Sequence, residues 1–364
     1  MKVLDLDHVE FYVADASAAA RSLCAAYGFQ VYGHGGPETG LAGQRTVLLG
    51  QGDIRLLLTS GLHAVHPASQ FVARHGDGVA VIALRTDRAA IAYGEVTEAG
   101  PAGLSPPRAW ENHAARVVTA EVAGFGDVGY RLVERSGDET DFQPGAIEMM
   151  PESGAGSGRD LLRRIDHLAV CVPAGELDAT VAFHEQVFGC ALTFGEYIEL
   201  GNQGMHSKVV QSSSGALTLT IIEPDVSRTP GQIDDFLAWH EGAGVQHVAY
   251  LTTDIVRAVR TLGDRGVEFA VTPPGYYDML GQRLGRTDIA VEALRPLGIL
   301  VDRDHWGQMF QIFAKSTHIR RTYFAELIDR HGARTFGTSN IPALYAAKER
   351  ELAEIRDTVG TNRA

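Results

Sequence analysis

The chain has 364 residues, 45% of them hydrophobic and 21% charged, with a formal net charge of −13. That length suits two or three domains with substantial cores, and the acidic balance leaves no basic footprint for nucleic acid or an anionic membrane. Three widely spaced cysteines, Cys24, Cys171 and Cys190, give neither a disulfide framework nor a paired zinc motif.

Taken in chain order, Met1-Lys2-Val3-Leu4-Asp5-Leu6-Asp7 puts acids where a signal peptide is apolar. No run approaches the ~20 apolar residues of a membrane helix, so the expectation is a reduced, cytoplasmic protein. Leu6-Asp7-His8-Val9-Glu10-Phe11-Tyr12-Val13 reads as a strand, followed by a helical segment and Tyr27-Gly28-Phe29. His63 and His66 could pair on a metal, but without a helical context they read as a loop. Gly76-Asp77-Gly78-Val79-Ala80-Val81-Ile82-Ala83 is a second strand, and the half closes near Gly126–Val133. Residues 151–160 have linker composition; their glycines lack the Lys-Ser/Thr of a phosphate loop and the context of a dinucleotide fingerprint. They divide the chain into residues 1–150 and 161–364.

The second half repeats the first. Ile165-Asp166-His167-Leu168-Ala169-Val170-Cys171-Val172 echoes the run around His8, and Val187-Phe188-Gly189 echoes Tyr27-Gly28-Phe29. Gly242-Ala243-Gly244-Val245-Gln246-His247-Val248-Ala249 echoes the run from Gly76. Leu177, Val181 and Val187 suit an amphipathic helix stopping near Gly189, Leu217–Ile222 and Phe310–Phe313 read as strands, and Gly266 fits a helix C-cap. The pattern is α+β: two related halves, each of paired βαβββ units.

His167, His247 and Glu326 each sit in a strand-like run. A histidine in an apolar strand is commonly a hydrogen-bonded core residue. Two imidazoles and one carboxylate, however, form the facial set that holds non-haem Fe(II) with coordination positions left open. Strand alternation puts His167 on one face with Ile165 and Ala169, and Glu326 with Phe324 and Ile328. Val81 stands where His247 stands, and no Glu-bearing strand like that at Glu326 follows the first half. His8 is therefore expected to lack partners, and the N-terminal half to be a structural copy without metal.

Several blocks in order resemble one family over nearly the whole length. They are Ile165-Asp166-His167, Pro230-Gly231-Gln232-Ile233-Asp234, Gly242–His247, Pro274-Gly275-Tyr276-Tyr277-Asp278, Phe310-Gln311-Ile312-Phe313, Glu326 and Phe336-Gly337-Thr338-Ser339-Asn340. The chain resembles the 4-hydroxyphenylpyruvate dioxygenase family of the vicinal oxygen chelate superfamily. The resemblance implies a half-open barrel of mainly antiparallel strands and a C-terminal lid helix, with His167, His247 and Glu326 binding Fe(II). It also implies 4-hydroxyphenylpyruvate and O2 as reactants, with Ser207, Thr220, Ile222, Gln232, Gln246, Gln311, Phe336 and Ile341 near the substrate.

Dioxygenases of the family usually read Pro-(Ile/Leu)-Asn-Glu-Pro where this chain has Thr220-Ile221-Ile222-Glu223-Pro224, and Phe where it has Ile341. These replacements resemble the branch that makes 4-hydroxymandelate, a precursor of hydroxyphenylglycine in antibiotic-type secondary metabolism. Homogentisate formation is the main alternative; extradiol catechol cleavage and a non-catalytic binding module are more distant ones. Ala325, where the family commonly has Phe, should face away from the metal, and Pro342 fits the first turn of a helix begun by Asn340. Oligomeric state is left open, with a homodimer among the options.

Overall fold

The computed structural model describes residues 1–150 and 161–337, together with Ser339, Asn340 and Ala343; Leu200 is described by its backbone alone. The expected linker at 151–160, Ile341, Pro342 and the C-terminal lid helix lie outside the described residues.

The first half runs β1 (Asp5–Tyr12), α1 (Ala16–Tyr27), β2 (Gln30–Gly35), β3 (Gln44–Gln51), β4 (Ile54–Gly61), α2 (Pro67–His75) and β5 (Gly78–Arg85). It continues through α3 (Ala89–Glu98), β6 (Gly103–Glu111), β7 (Ala115–Phe125), β8 (Val128–Gly137) and β9 (Glu148–Met149). The second half runs β10 (Arg164–Cys171), α4 (Leu177–Phe188), β11 (Ala191–Leu200), β12 (Gln203–Gln211), β13 (Thr218–Pro224), α5 (Gln232–His240) and β14 (Gly244–Leu251). Then come α6 (Ile255–Asp264), α7 (Pro274–Asp278), β15 (Leu300–Arg303), β16 (Gln308–Phe313) and β17 (Phe324–His331).

Each half is one sheet, ordered β6-β7-β8-β5-β1-β4-β3-β2-β9 and β11-β12-β13-β10-β14-β17-β16-β15. Both orders are two βαβββ units joined edge to edge, through β1–β5 in one half and β10–β14 in the other, as the sequence repeat implies. The aromatic-glycine pairs are helix ends: Gly28 (φ 81°) closes α1 and Gly189 (φ 63°) closes α4 in the left-handed conformation that glycine adopts without strain.

One apolar core spans both halves. Val9, Leu56 and Tyr130 of the first sheet cluster with Phe188, Val248 and Tyr250 of the second. The Tyr130 hydroxyl meets His184 Nε2 at 2.5 Å across that boundary. Fully burying such side chains contributes roughly 1.5–3 kcal/mol each, which welds the helix-covered faces together and leaves the opposite face of each sheet for polar groups.

The middle strands depart from simple alternation. A register shift between Ile165 and His167 against β14 inserts Asp166 as an extra residue. Ile165 therefore packs with Leu168 and Val170 in the core, while Asp166 and His167 turn together to the other face. This corrects the expectation that Ile165 shares a face with His167. A second shift on the same strand pair leaves Gln246 as the extra residue before His247, with Val245 and Val248 both in the core. Such bulges re-aim side chains beside functional sites. The same two shifts recur between β1 and β5, so the device belongs to the repeat. Among the described residues no helix is long and apolar enough to cross a membrane.

Candidate metal centre

The three strand runs meet on one face. His167 on β10 lies across from Ala249 of β14, which lies across from Glu326 of β17, and His247 pairs with Ala169 of β10. His167 Nε2 is 3.2 Å and His247 Nε2 3.3 Å from the same oxygen, Glu326 Oε2. All three residues are buried, and one ligand atom from each lies within 4.8 Å of the others. Among the described residues this is the one such cluster. Ala325 joins the core with Leu327, facing away from Glu326.

The bulges explain why both Nε2 atoms point inward. Asp166 Oδ2 accepts from His167 Nδ1 at 2.9 Å, and Gln246 Oε1 accepts from His247 Nδ1 at 3.3 Å. Each residue set beside its histidine by the extra position thereby fixes the tautomer that leaves Nε2 free for a metal. Arg330 holds Asp166 with two hydrogen bonds of 2.8 Å. Phe324 stacks on the His247 ring at 4.9 Å, and Phe336 meets the His167 ring edge-on at 5.0 Å. Sequence reasoning missed Asp166, Arg330 and Phe324 in these roles. The acid-histidine pair occurring twice, as Asp7-His8 and Asp166-His167, was the available signal.

The electrostatics suit a cation. Burial disfavours charge on Glu326, yet the two imidazoles outweigh it and hold the carboxyl down to about 2. Burial likewise opposes charge on His167, but the Asp166 and Glu326 carboxylates push it up to about 9. His247 is pulled down, chiefly by burial. The apoprotein at neutral pH thus carries a proton on His167 that a metal must expel, since only neutral imidazole ligates. A raised value means that this proton is present below about pH 9, so apparent divalent-metal affinity should climb roughly tenfold per pH unit up to that point. Titration with Co(II) between pH 6.5 and 8.5 checks this, and a flat profile would contradict it.

Other expected substrate contacts divide. Thr220 pairs with Ala169, Ile222 with Cys171, and Ser207 with Ile222, which places all three on the His247 face. Thr220 and Ser207 are buried, while Ile222 is half-buried against Cys171, Ile198 and Met205. Gln311 is buried on β16, so close to Gly337 that a Cβ there would lie 2.2 Å from Gln311 Nε2. Gln232 is not brought in: it is exposed in the first turn of α5, and Ile233 fills the buried position instead. His63 is exposed, and His66 caps α2 by accepting from Ala68 N at 3.2 Å.

The first half repeats the scaffold with different chemistry. His8 lies across from Ala83 and Ala83 across from Arg131, so β8 is the counterpart of β17 and Arg131 takes the place of Glu326. The sequence offered no Glu-bearing strand like that at Glu326; the equivalent strand is present and carries Arg131 at that position. Arg131 donates to His8 Nε2 at 3.1 Å and pairs with Glu10 at 2.6 Å and Glu121 at 2.7 Å. Asp7 accepts from His8 Nδ1 at 2.7 Å and from Arg135. His8 is thus well partnered, contrary to expectation. Its removal should cost about 1–3 kcal/mol by stranding those partners and leave metal stoichiometry unchanged. Thermal melts and metal analysis of His8→Ala test both; loss of bound metal from the folded variant would place the ion in the first half instead.

Comparison with known proteins follows this geometry. The Glyoxalase/Bleomycin resistance protein/Dioxygenase superfamily description matches residues 164–312. The chain is 30% identical to a 4-hydroxyphenylpyruvate dioxygenase of Coccidioides posadasii, over 95% of this chain and 92% of that one. It is 31% identical to that of Aspergillus fumigatus with the same coverage. The chain belongs to the 4-hydroxyphenylpyruvate dioxygenase family. A solved structure of a triply substituted 4-hydroxymandelate synthase from Streptomyces coelicolor superposes with TM-score 0.86 at 40% identity, covering 96% of this chain and 99% of that one. Membership makes the chain an enzyme of dioxygenase type on the vicinal oxygen chelate fold, with two related sheets as the repeat implied.

Proposed function

We propose that the chain converts 4-hydroxyphenylpyruvate and O2 to 4-hydroxymandelate and CO2, with Fe(II) held by His167, His247 and Glu326. The donor set fits this ion: two buried imidazole nitrogens and one ionised carboxylate oxygen converge, and no thiolate is among them. Iron held there supplies the redox chemistry that couples decarboxylation of a 2-oxo acid to reduction of dioxygen. The substrate provides the remaining electrons, so no flavin or nicotinamide is required.

The protein's part is positioning. Asp166 and Gln246 fix the two rings, and Phe324 and Phe336 wall them. The observation that carries the branch assignment is Ile222, half-buried on the metal face beside Cys171. An isoleucine offers no amide to anchor the substrate there. The side chain can then tilt its benzylic carbon, rather than its ring, toward the metal, and a displacement of ~1 Å decides such outcomes. The similarity to a 4-hydroxymandelate synthase supports the same branch. Homogentisate formation is the second reading, favoured by the fungal relatives.

Oxygen uptake and CO2 release tests the reaction class. The proposal expects equal amounts of each from 4-hydroxyphenylpyruvate, strictly dependent on added Fe(II). Oxygen uptake with a catechol and none with the 2-oxo acid would overturn it.

A further inference from the structure

Asn340, four residues after Phe336, sits in a buried polar cluster that the chemistry does not use. Asn340 is fully buried, and its Oδ1 accepts from the Tyr276 hydroxyl at 2.7 Å and from Arg283 Nη2 at 2.9 Å. Tyr276, on α7 and also fully buried, accepts from Val301 N at 2.8 Å and from Arg283 at 3.0 Å. The Arg283 guanidinium lies 4.8 Å over the Tyr276 ring and also donates to Val301 O at 2.5 Å. Beside this cluster, Ser339 donates to Asp302 through both its amide and its hydroxyl. Asn340 N closes the turn onto Gly337 O at 2.9 Å.

At its other end the same turn enters the metal site. Phe336 touches the His167 ring, and the Arg330 guanidinium lies 5.0 Å from the centre of the Phe336 ring. Gly337, at φ 77°, holds a left-handed conformation that favours glycine and lies against the Gln311 amide. The hydrogen bond from Asn340 N to Gly337 O links the two ends directly, so a displacement at Asn340 is expected to reach Phe336. Asn340 is the joint: its acceptor oxygen ties the turn to α7, while its Nδ2 has no partner among the described residues.

We propose that Tyr276, Arg283 and Asn340 are positioning residues that set the Phe336 wall of the substrate site through this turn. The proposal rests on the reading of the site given above. It explains why a polar cluster is buried in an otherwise apolar region, where each group must find a partner or cost stability. None of the three residues touches the metal ligands, so the clamp acts on the fit of the 2-oxo acid rather than on iron.

Asn340→Leu keeps the size and removes the acceptor; Asn340→Asp keeps the acceptor and adds a charge that Arg283 can meet. For Asn340→Leu the expected results are one metal bound per chain, a KM for 4-hydroxyphenylpyruvate raised about tenfold, and a much smaller change in kcat. Anaerobic calorimetry should show the same weakening of 2-oxo acid binding, and amide exchange at residues 333–337 of the apoprotein should quicken. Asn340→Asp should restore all three. Tyr276→Phe, which leaves Arg283 in contact with Asn340, should shift KM the same way by a smaller factor, and it carries the test if Asn340→Leu does not fold. Unchanged KM and binding in folded Asn340→Leu or Tyr276→Phe would overturn the proposal, as would Asn340→Asp behaving like Asn340→Leu. If the unsubstituted enzyme neither binds nor turns over the 2-oxo acid, the reading of the site fails, whereas quickened exchange that Asn340→Asp reverses would still uphold the clamp.

Discussion

Glu326→Ala is expected to abolish oxygen-dependent decarboxylation, by at least about a thousandfold, and to strip most of the iron. Glu326 is the only carboxylate of the cluster, and both histidine Nε2 atoms aim at its Oε2. Its loss leaves two buried imidazoles and a doubly charged ion without a compensating anion, an arrangement that a buried site does not sustain. The fold should survive, because β17 is fixed by its ladder to β14 and β16 and by Leu327 in the core. Iron content by elemental analysis and oxygen uptake at an electrode give the two readouts. Full iron occupancy with undiminished turnover would remove Glu326 from the metal set.

Ile222→Asn is expected to move product from 4-hydroxymandelate toward homogentisate or uncoupled 4-hydroxyphenylacetate. The amide would stand on the metal face, across from Ser207 on one side and Cys171 on the other, where it can hydrogen-bond the substrate and hold its ring near the ion. Because Ile222 is only half-buried, the substitution should cost little stability compared with a core position, and iron binding should be intact. The dioxygenase-type proline at 220 is a poorer test. Thr220 is paired on both sides within the sheet, and proline there forfeits a donor. Chromatography of the products decides the matter, and an unchanged product at an unchanged rate would show that position 222 does not set the branch.

Much of this was legible in the sequence because the chain repeats itself. The paired runs around His8 and His167, and around Val81 and His247, revealed the modules and the half with the fuller donor set. The helix-ending glycines 28 and 189 were readable for the same reason. Bulges were not: one extra residue at Asp166 reverses the facing of Ile165 while leaving the letters of an alternating strand unchanged. Arg131 was hidden because the ligand position itself changed: Arg131-Leu132-Val133-Glu134-Arg135 of β8 follows Glu326-Leu327-Ile328-Asp329-Arg330 of β17 in pattern except at its first residue. Pairing through Ala83 or Ala249 to a histidine makes the equivalence plain. The arginine shared by both runs, Arg135 or Arg330, holds Asp7 or Asp166. Gln232 failed for a different reason: the first turn of a helix offers several directions, and Ile233 took the buried one.

Arg131 in the place of Glu326 gives the first half a cation of its own at the corresponding position. Arg131, between the buried Glu10 and the half-buried Glu121, keeps both carboxylates compensated. The two halves are then one scaffold with two arrangements of charge at the same position.

The most direct test is to load the purified apoprotein with Fe(II) without air, admit 4-hydroxyphenylpyruvate and O2, and separate the aromatic products. 4-Hydroxymandelate and homogentisate are isomers, so retention and fragmentation, rather than mass, distinguish them. The account predicts 4-hydroxymandelate as the main product, formed in step with CO2. Homogentisate as the sole product would contradict it.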